Sequence, residues 1–241
     1  MARLRIALLN ASLNGTREDT SRNFRRELDA DLAEFTVSDG RLPPPVGVEG
    51  FDGVVVTGSG ASTYWDAPWI DEVRGWLREA HERGLPILGV CFGHQLLASA
   101  LGGTVESMGN FEIGYREVRR VGEATLLAGL DERFTAFTTH GDTVTALPEG
   151  AEVTAENDYG LHGFRVGDAF GVQFHPEYDR ETARAVTLSK EFLGEERIER
   201  VLGGITEENY ARACETKRLF ENFTEHVRRV RSAEPSAESI T

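Results

Sequence analysis

Seven residues, Gly89-Val90-Cys91-Phe92-Gly93-His94-Gln95, place a thiol where an apolar run, Pro86 to Val90, gives way to a helical pattern. A side chain at such a strand-to-helix turn stands over the first free N–H groups of the helix. Those donors and the positive end of the helix dipole favour a thiolate and can hold an oxyanion, so Cys91 is a candidate nucleophile. Its other reading is a small buried hydrophobe, the usual place of a lone cysteine. Leu97, Ala98 and Leu101 recur at helical spacing and Gly102-Gly103 supplies a stop, which predicts a helix of about ten residues behind the turn.

A thiol nucleophile needs a base within hydrogen-bond reach and a third group to orient that base. The chain has six histidines, and one of them ends an apolar run, Ala169-Phe170-Gly171-Val172-Gln173-Phe174-His175-Pro176-Glu177. Pro176 cannot continue a ladder, so a buried strand is expected to stop at His175. His175 and Glu177 are two apart and project to the same side of an extended chain. The carboxylate can then hold one ring nitrogen while the other faces a thiol, an arrangement that favours a thiolate–imidazolium pair. A His-Pro-Glu tripeptide alone is an ordinary strand-ending turn; together with the cysteine turn it outlines a Cys91, His175, Glu177 triad.

These residues resemble those of the class I (triad-type) glutamine amidotransferases, whose nucleophile motif is similar to Gly89 through Gln95 and whose base motif is similar to Phe174-His175-Pro176-Glu177. The resemblance runs over residues 3 to 193, and within the family the chain looks most like the stand-alone and GMP-synthase-like amidotransferase domains. Thr57-Gly58-Ser59-Gly60-Ala61-Ser62 resembles the glycine-rich oxyanion loop, although most members carry Gly-Gly-Pro where this chain has Gly-Ser-Gly. By that resemblance the N–H groups of Gly60 and Phe92 would hold the oxyanion, and Gly58, Gln95, Thr139, Gly141 and Asp142 would contact the substrate. Within Thr139-His140-Gly141-Asp142-Thr143-Val144, His140 is open between a structural or partner-facing role and a substrate contact.

The resemblance implies L-glutamine as substrate, hydrolysis to glutamate and ammonia through a γ-glutamyl thioester, and no metal or organic cofactor. It implies an acceptor synthetase in trans, a GMP synthase ATP-pyrophosphatase subunit being one candidate. A stand-alone γ-glutamyl hydrolase or peptidase uses the same triad, and Ser62-Thr63-Tyr64-Trp65 could shape its larger pocket. A regulatory protein with a dead site is disfavoured by the intact triad. No cluster of metal-ligand spacing, no Ser-Gly-Gly-x-Asp-Ser loop and no Gly-x-x-x-x-Gly-Lys-Ser/Thr phosphate loop is legible.

The elements that must position these groups alternate. Strands are expected at 5–10, 34–38 and 53–57, and helices at 20–30 and 68–81, the second with Pro68 in its first turn and Ile70, Val73, Leu77 and Ala80 as its apolar stripe. Such alternation predicts an α/β fold with a doubly wound, mostly parallel, flavodoxin-like sheet and its ligand outside the carboxyl ends of the strands. Short strands at 117–121, 134–138 and 163–166 suggest a small antiparallel extension. Residues 1–194 then make the amidotransferase-like domain. Residues 195–231 form a helical extension: after a helix at 181–193, Gly203-Gly204 breaks the pattern, and a helix or helix pair follows at 207–230, with Tyr210, Ala213, Lys217, Phe220 and Phe223 at packing spacing. The polar tail 232–241 is expected to be disordered.

Forty acidic against 26 basic residues give a formal net charge of −14, and only Lys190 and Lys217 among the basic residues are lysines. That halophile-like balance argues against nucleic acid or an anionic membrane as partner. The absence of a long apolar stretch leads to the expectation of a cytoplasmic enzyme. The two cysteines, Cys91 and Cys214, make no disulfide framework, and Cys214 is expected to be inert.

Overall fold

The computed structural model of the chain describes residues 3–13, 15–122 and 125–233. Among these, nine strands form one sheet: β1 (Arg5–Asn10), β2 (Asp31–Thr36), β3 (Gly53–Val56), β4 (Ile87–Val90), β5 (Thr104–Arg120), β6 (Arg133–Ala146), β7 (Glu152–Asn157), β8 (Gly160–Val166) and β9 (Ala169–Val172). Their spatial order is β2-β1-β3-β4-β9-β8-β7-β5-β6. The α-helices are α1 (Arg17–Glu27), α2 (Pro68–Glu82), α3 (Phe92–Ala100), α4 (Arg180–Leu188), α5 (Glu195–Gly204), α6 (Glu207–Ala213) and α7 (Arg218–Ala233).

β3, β4 and β9 are buried along their whole length, and β1 in all but its first residue. Short continuous apolar runs of this kind suit parallel strands covered on both faces. Pairing is parallel from β2 through β1, β3 and β4 to β9, as the strand-helix alternation requires. Ile6 and Leu8 of β1 join one core layer with Phe24 of α1 and Phe220, Phe223 and Val227 of α7. Ala7 and Leu9 join the other, with Val73 and Leu77 of α2 and Leu96 and Leu97 of α3. The three strand ends that carry the site, after β3, β4 and β9, therefore lie side by side.

Past β9 the sheet turns antiparallel through β8, β7, β5 and β6. The short strands expected at 117–121 and 134–138 belong to a 17-residue β5 and a 14-residue β6, which pair from Arg119 and Arg133 out to Thr104 and Ala146. The outer part of β5 is largely exposed, and the outer part of β6 is polar but for the buried Val144, so backbone pairing extends both where no apolar pattern announces a strand.

Other boundaries also moved. β2 begins at Asp31 rather than Glu34, since an edge strand pairing β1 on one side needs no apolar run. β9 ends at Val172, three residues short of His175, and the chain continues through hydrogen bonds from Gln173 N–H to the His162 carbonyl and from His175 N–H to the Phe137 carbonyl. Gly203-Gly204 are the last two residues of α5, a helix not expected from the sequence, and the expected break falls directly after them, ahead of α6 at Glu207. The helix expected at 181–193 stops at Leu188, and a 3-10 turn follows at Glu191–Leu193. The long C-terminal pattern is split into α6 and α7 by a 3-10 turn at Cys214–Lys217, which leaves Cys214 half-buried. Of the tail expected to be disordered, Ser232 and Ala233 complete α7, and 234–241 lie outside the described residues.

Candidate active site

Cys91 joins β4 to α3 at φ 53° and ψ −106°, the one non-glycine residue with positive φ among the described residues. Such a conformation costs a side-chain-bearing residue energy and is kept where the surroundings enforce it. Here two close approaches enforce it. A Cβ on Gly89 would collide with the Gly93 carbonyl, and a Cβ on Gly93 with the Val56 carbonyl of β3. The Cys91 N–H donates to the Val172 carbonyl at 2.8 Å, which hangs the turn on β9, and Sγ lies 3.9 Å from the Thr139 carbonyl oxygen.

His175 Nδ1 donates to Glu177 Oε1 at 2.8 Å, and both side chains are buried. Burial alone would lower the imidazole pKa, but the negative charges of Cys91 and Glu177 outweigh it and the group is pushed up to about 10. Nε2 is buried without a full hydrogen bond, and Cys91 is its electrostatic neighbour. The ring is clamped on its faces: Tyr178 stacks on it at 4.1 Å and 19°, and on Gly58 an added Cβ would come within 2.9 Å of Cε1. Gly58 is thus placed against the His175 ring. Arg26 of α1 ties the segment down, donating to the Glu177 carbonyl at 2.6 Å and to Asp179 at 2.8 Å. Asp179 also caps α4 by accepting from the Thr182 N–H.

Two cavities meet at Cys91. The smaller, about 160 Å³, is lined by Gly60, Phe92, Gln95, Gly141 and Asp142; the larger, about 380 Å³, by Gly58, His175, Glu177 and Tyr178; Thr139 and Lys190 border both. Gln95 spends its amide on bracing, donating from Nε2 to the Asp142 carbonyl at 3.0 Å and to Gln173 at 2.9 Å. The Asp142 carboxylate accepts from Ser62 at 2.6 Å and Tyr64 at 2.8 Å, so the loop after β3 is latched to the end of β6.

Behind that wall lies a cluster that linear spacing does not show, because its members sit on three strands. Glu112 of β5 accepts from His140 of β6 at 2.6 Å, from His162 of β8 at 3.1 Å and from Asn157 at 2.7 Å. Despite burial, its hydrogen bonds with the two histidines hold the Glu112 carboxyl at about 2. The ligating atoms of Glu112, His140 and His162 lie within 4.8 Å of one another, a set that could hold a metal ion. His140 also donates from Nδ1 to the Asp142 carbonyl at 2.9 Å, so it braces the cavity wall while lining the cavity. His94 of the nucleophile motif faces away from the thiol; burial, then the charges of His162 and His140, push it down to about 3, and it packs on Phe164 at 5.0 Å.

The fold therefore gathers every sequence-predicted site residue around the two cavities that meet at Cys91, with Gly58 against His175 rather than in the smaller cavity. Tyr178, Arg26 and Lys190 were missed. Tyr178 directly follows the Pro-Glu of the base motif, and Lys190 is one of two lysines in an arginine-rich chain; Arg26 gave no signal.

The family model for "Glutamine amidotransferase class-I" matches residues 26–194. A GMP synthase [glutamine-hydrolyzing] of Thermomicrobium roseum is 41% identical over 138 residues, which are 56% of this chain and 25% of that protein. A protein of the same name from Aromatoleum aromaticum is 33% identical over 195 residues, 73% of this chain and 34% of that protein. The chain thus spans a quarter to a third of these relatives. A crystal structure of a glutamine amidotransferase from Thermotoga maritima shares the fold at a TM-score of 0.76 and 24% identity, covering 94% of this chain and 99% of that one.

Proposed function

Because this chain belongs to the class-I glutamine amidotransferases, we propose that it hydrolyses L-glutamine to glutamate and ammonia through Cys91, His175 and Glu177. The Cys91 thiolate attacks the side-chain amide carbon, and the N–H groups of Phe92 and Gly60 receive the developing oxyanion. The tetrahedral species collapses to a γ-glutamyl thioester as His175 gives its Nε2 proton to the departing ammonia. The now neutral imidazole takes a proton from water, which attacks the thioester; collapse releases glutamate and restores the thiolate and imidazolium. Glu177 keeps Nδ1–H oriented and stabilises the charged ring. Thr139, Gly141 and Asp142 receive the amino-acid head group in the smaller cavity, and Gln95 holds the wall they form.

The observation that carries this reading is the base. A buried imidazole fastened at Nδ1 by Glu177, with an unfilled Nε2 beside a strained thiol, is set up as an imidazolium that can protonate a leaving group. Residues 195–231 are proposed as an extension of the domain. The ammonia is proposed to serve a synthetase acting in trans, a GMP synthase ATP-pyrophosphatase subunit among the candidates, in the cytoplasm. No helix among the described residues is long and apolar enough to cross a membrane. The 380 Å³ cavity on the His175 side, more than ammonia needs, favours a second reading as a γ-glutamyl hydrolase.

Incubating the chain in high salt with glutamine, and separately with a γ-glutamyl dipeptide, separates the two. Cys91-dependent glutamate and ammonia from glutamine is the expected result. Dipeptide cleavage without glutamine turnover would move the assignment to the hydrolase, and turnover that survives Cys91→Ala would sink both.

A further inference from the structure

The smaller cavity beside Cys91 carries one carboxylate, Asp142, and one ammonium, Lys190. Lys190 follows α4, between its last residue and the 3-10 turn at Glu191–Leu193. Its Nζ lies 5.7 Å from the centroid of the Phe111 ring. Phe111 packs on Gly141, where an added Cβ would stand 3.0 Å from the ring, so the ammonium is held over the wall that ends in Asp142. Cys91 and Lys190 lie close enough for their charges to interact.

Among the described residues Lys190 has no carboxylate within ion-pair distance, whereas the other lysine, Lys217, meets Glu27 at 2.5 Å. Burial draws the Lys190 ammonium below its usual 10.5, the mark of a cation short of compensation. A half-buried cation with no counter-ion among the described residues, lining the same cavity as an anchored carboxylate, complements a zwitterion. We propose that Lys190 receives the α-carboxylate of the substrate while Asp142 receives its α-ammonium, so that the site selects amides carrying a free amino-acid head group. This rests on the glutaminase reading for the identity of the substrate.

The test compares glutamine with 4-aminobutanamide, which is glutamine without its α-carboxylate. Binding to Cys91→Ala is followed by calorimetry, with and without Lys190→Met, and kcat/KM is measured with Cys91 restored. Lys190→Met is expected to weaken glutamine about 10- to 100-fold, as loss of a charged hydrogen bond does. The loss falls on KM, with kcat within about threefold. The same substitution leaves 4-aminobutanamide within about threefold, because the lost contact does not exist for it. Lys190→Arg recovers much of the glutamine affinity, and thermal melts of Lys190→Met and Lys190→Arg confirm that both variants fold. Equal weakening of both ligands would make Lys190 structural and overturn the proposal, as would an unchanged glutamine affinity or the failure of Cys91→Ala to bind glutamine. Absence of Cys91-dependent turnover in a chain that binds glutamine through Lys190 would instead strike the glutaminase reading alone.

Discussion

His175 holds its proton because two negative groups outweigh the cost of burying the charge. Its pKa stands at about 10 against the usual 6.5, so between these values the folded chain keeps a proton that the unfolded chain has lost. The stability this supplies is fully present below about pH 6.5 and disappears as pH rises through about 10. Glu177→Gln keeps the shape and removes one of the two charges. The ring titration, followed by NMR, is expected to move down from about 10, and kcat/KM for glutamine to fall about 10²- to 10⁴-fold. An unmoved titration would show that Glu177 does not charge the base. Three other buried groups act in the opposite sense. His94 at about 3, His162 below 6.5 and Glu112 at about 2 all take up protons more readily when unfolded. Their stabilisation is present above the unfolded values and is lost as pH falls from about 6.5 toward 2. Urea midpoints are therefore expected to be higher near pH 6 than near pH 4, a window in which the His175 contribution stays constant; the reverse order would contradict these assignments.

The elements of the site divide into a turn dictated by short-range sterics and walls assembled from distant strands. Gly93 is the tightest point of the turn, since any Cβ there meets the Val56 carbonyl, and backbone cannot yield as a side chain can. Gly93→Ala is expected to lose glutamine turnover and to lower the melting temperature, measured by activity and calorimetry on the same preparation. A fully active Gly93→Ala would mean that the turn is not as close as described. On the opposite face, α7 seals the core layer beneath β1. Phe223 is fully buried there, and Phe223→Ala is expected to cost about 3–5 kcal/mol in a denaturant titration. A cost below about 1 kcal/mol would mean that α7 docks loosely and that residues 195–231 are dispensable to the domain. The helical spacing of Phe220 and Phe223 had indicated this packing; the split at Cys214–Lys217 had no marker, because no proline or glycine interrupts the pattern there.

At the scale of the whole molecule, the excess of 40 acidic over 26 basic residues repels itself at low ionic strength. Many arginines are paired with carboxylates at the surface, as in Arg5–Glu49 and Arg200–Glu196, and salt weakens such pairs too, but each contributes only about 0–1 kcal/mol. Repulsion summed over a net charge of −14 is the larger effect, so the melting temperature is expected to rise between about 0.05 M and about 1 M salt. A falling melting temperature would show the ion pairs to dominate and would remove the halophile-like reading. Taken by itself, the sequence determined the parallel half of the sheet and singled out the three residues proposed as a triad. Those features depend on neighbours in the chain: apolar runs long enough for one strand, glycines at a turn, and a histidine two residues from an acid. The tertiary structure alone decided the reach of β5 and β6, the meeting of Glu112, His140 and His162, the latch from Ser62 and Tyr64 to Asp142, and the seat of Lys190 in the same cavity. Each of these joins residues tens of positions apart, and what brings them together is sheet register and helix packing, whose side-chain consequences leave no local pattern along the chain.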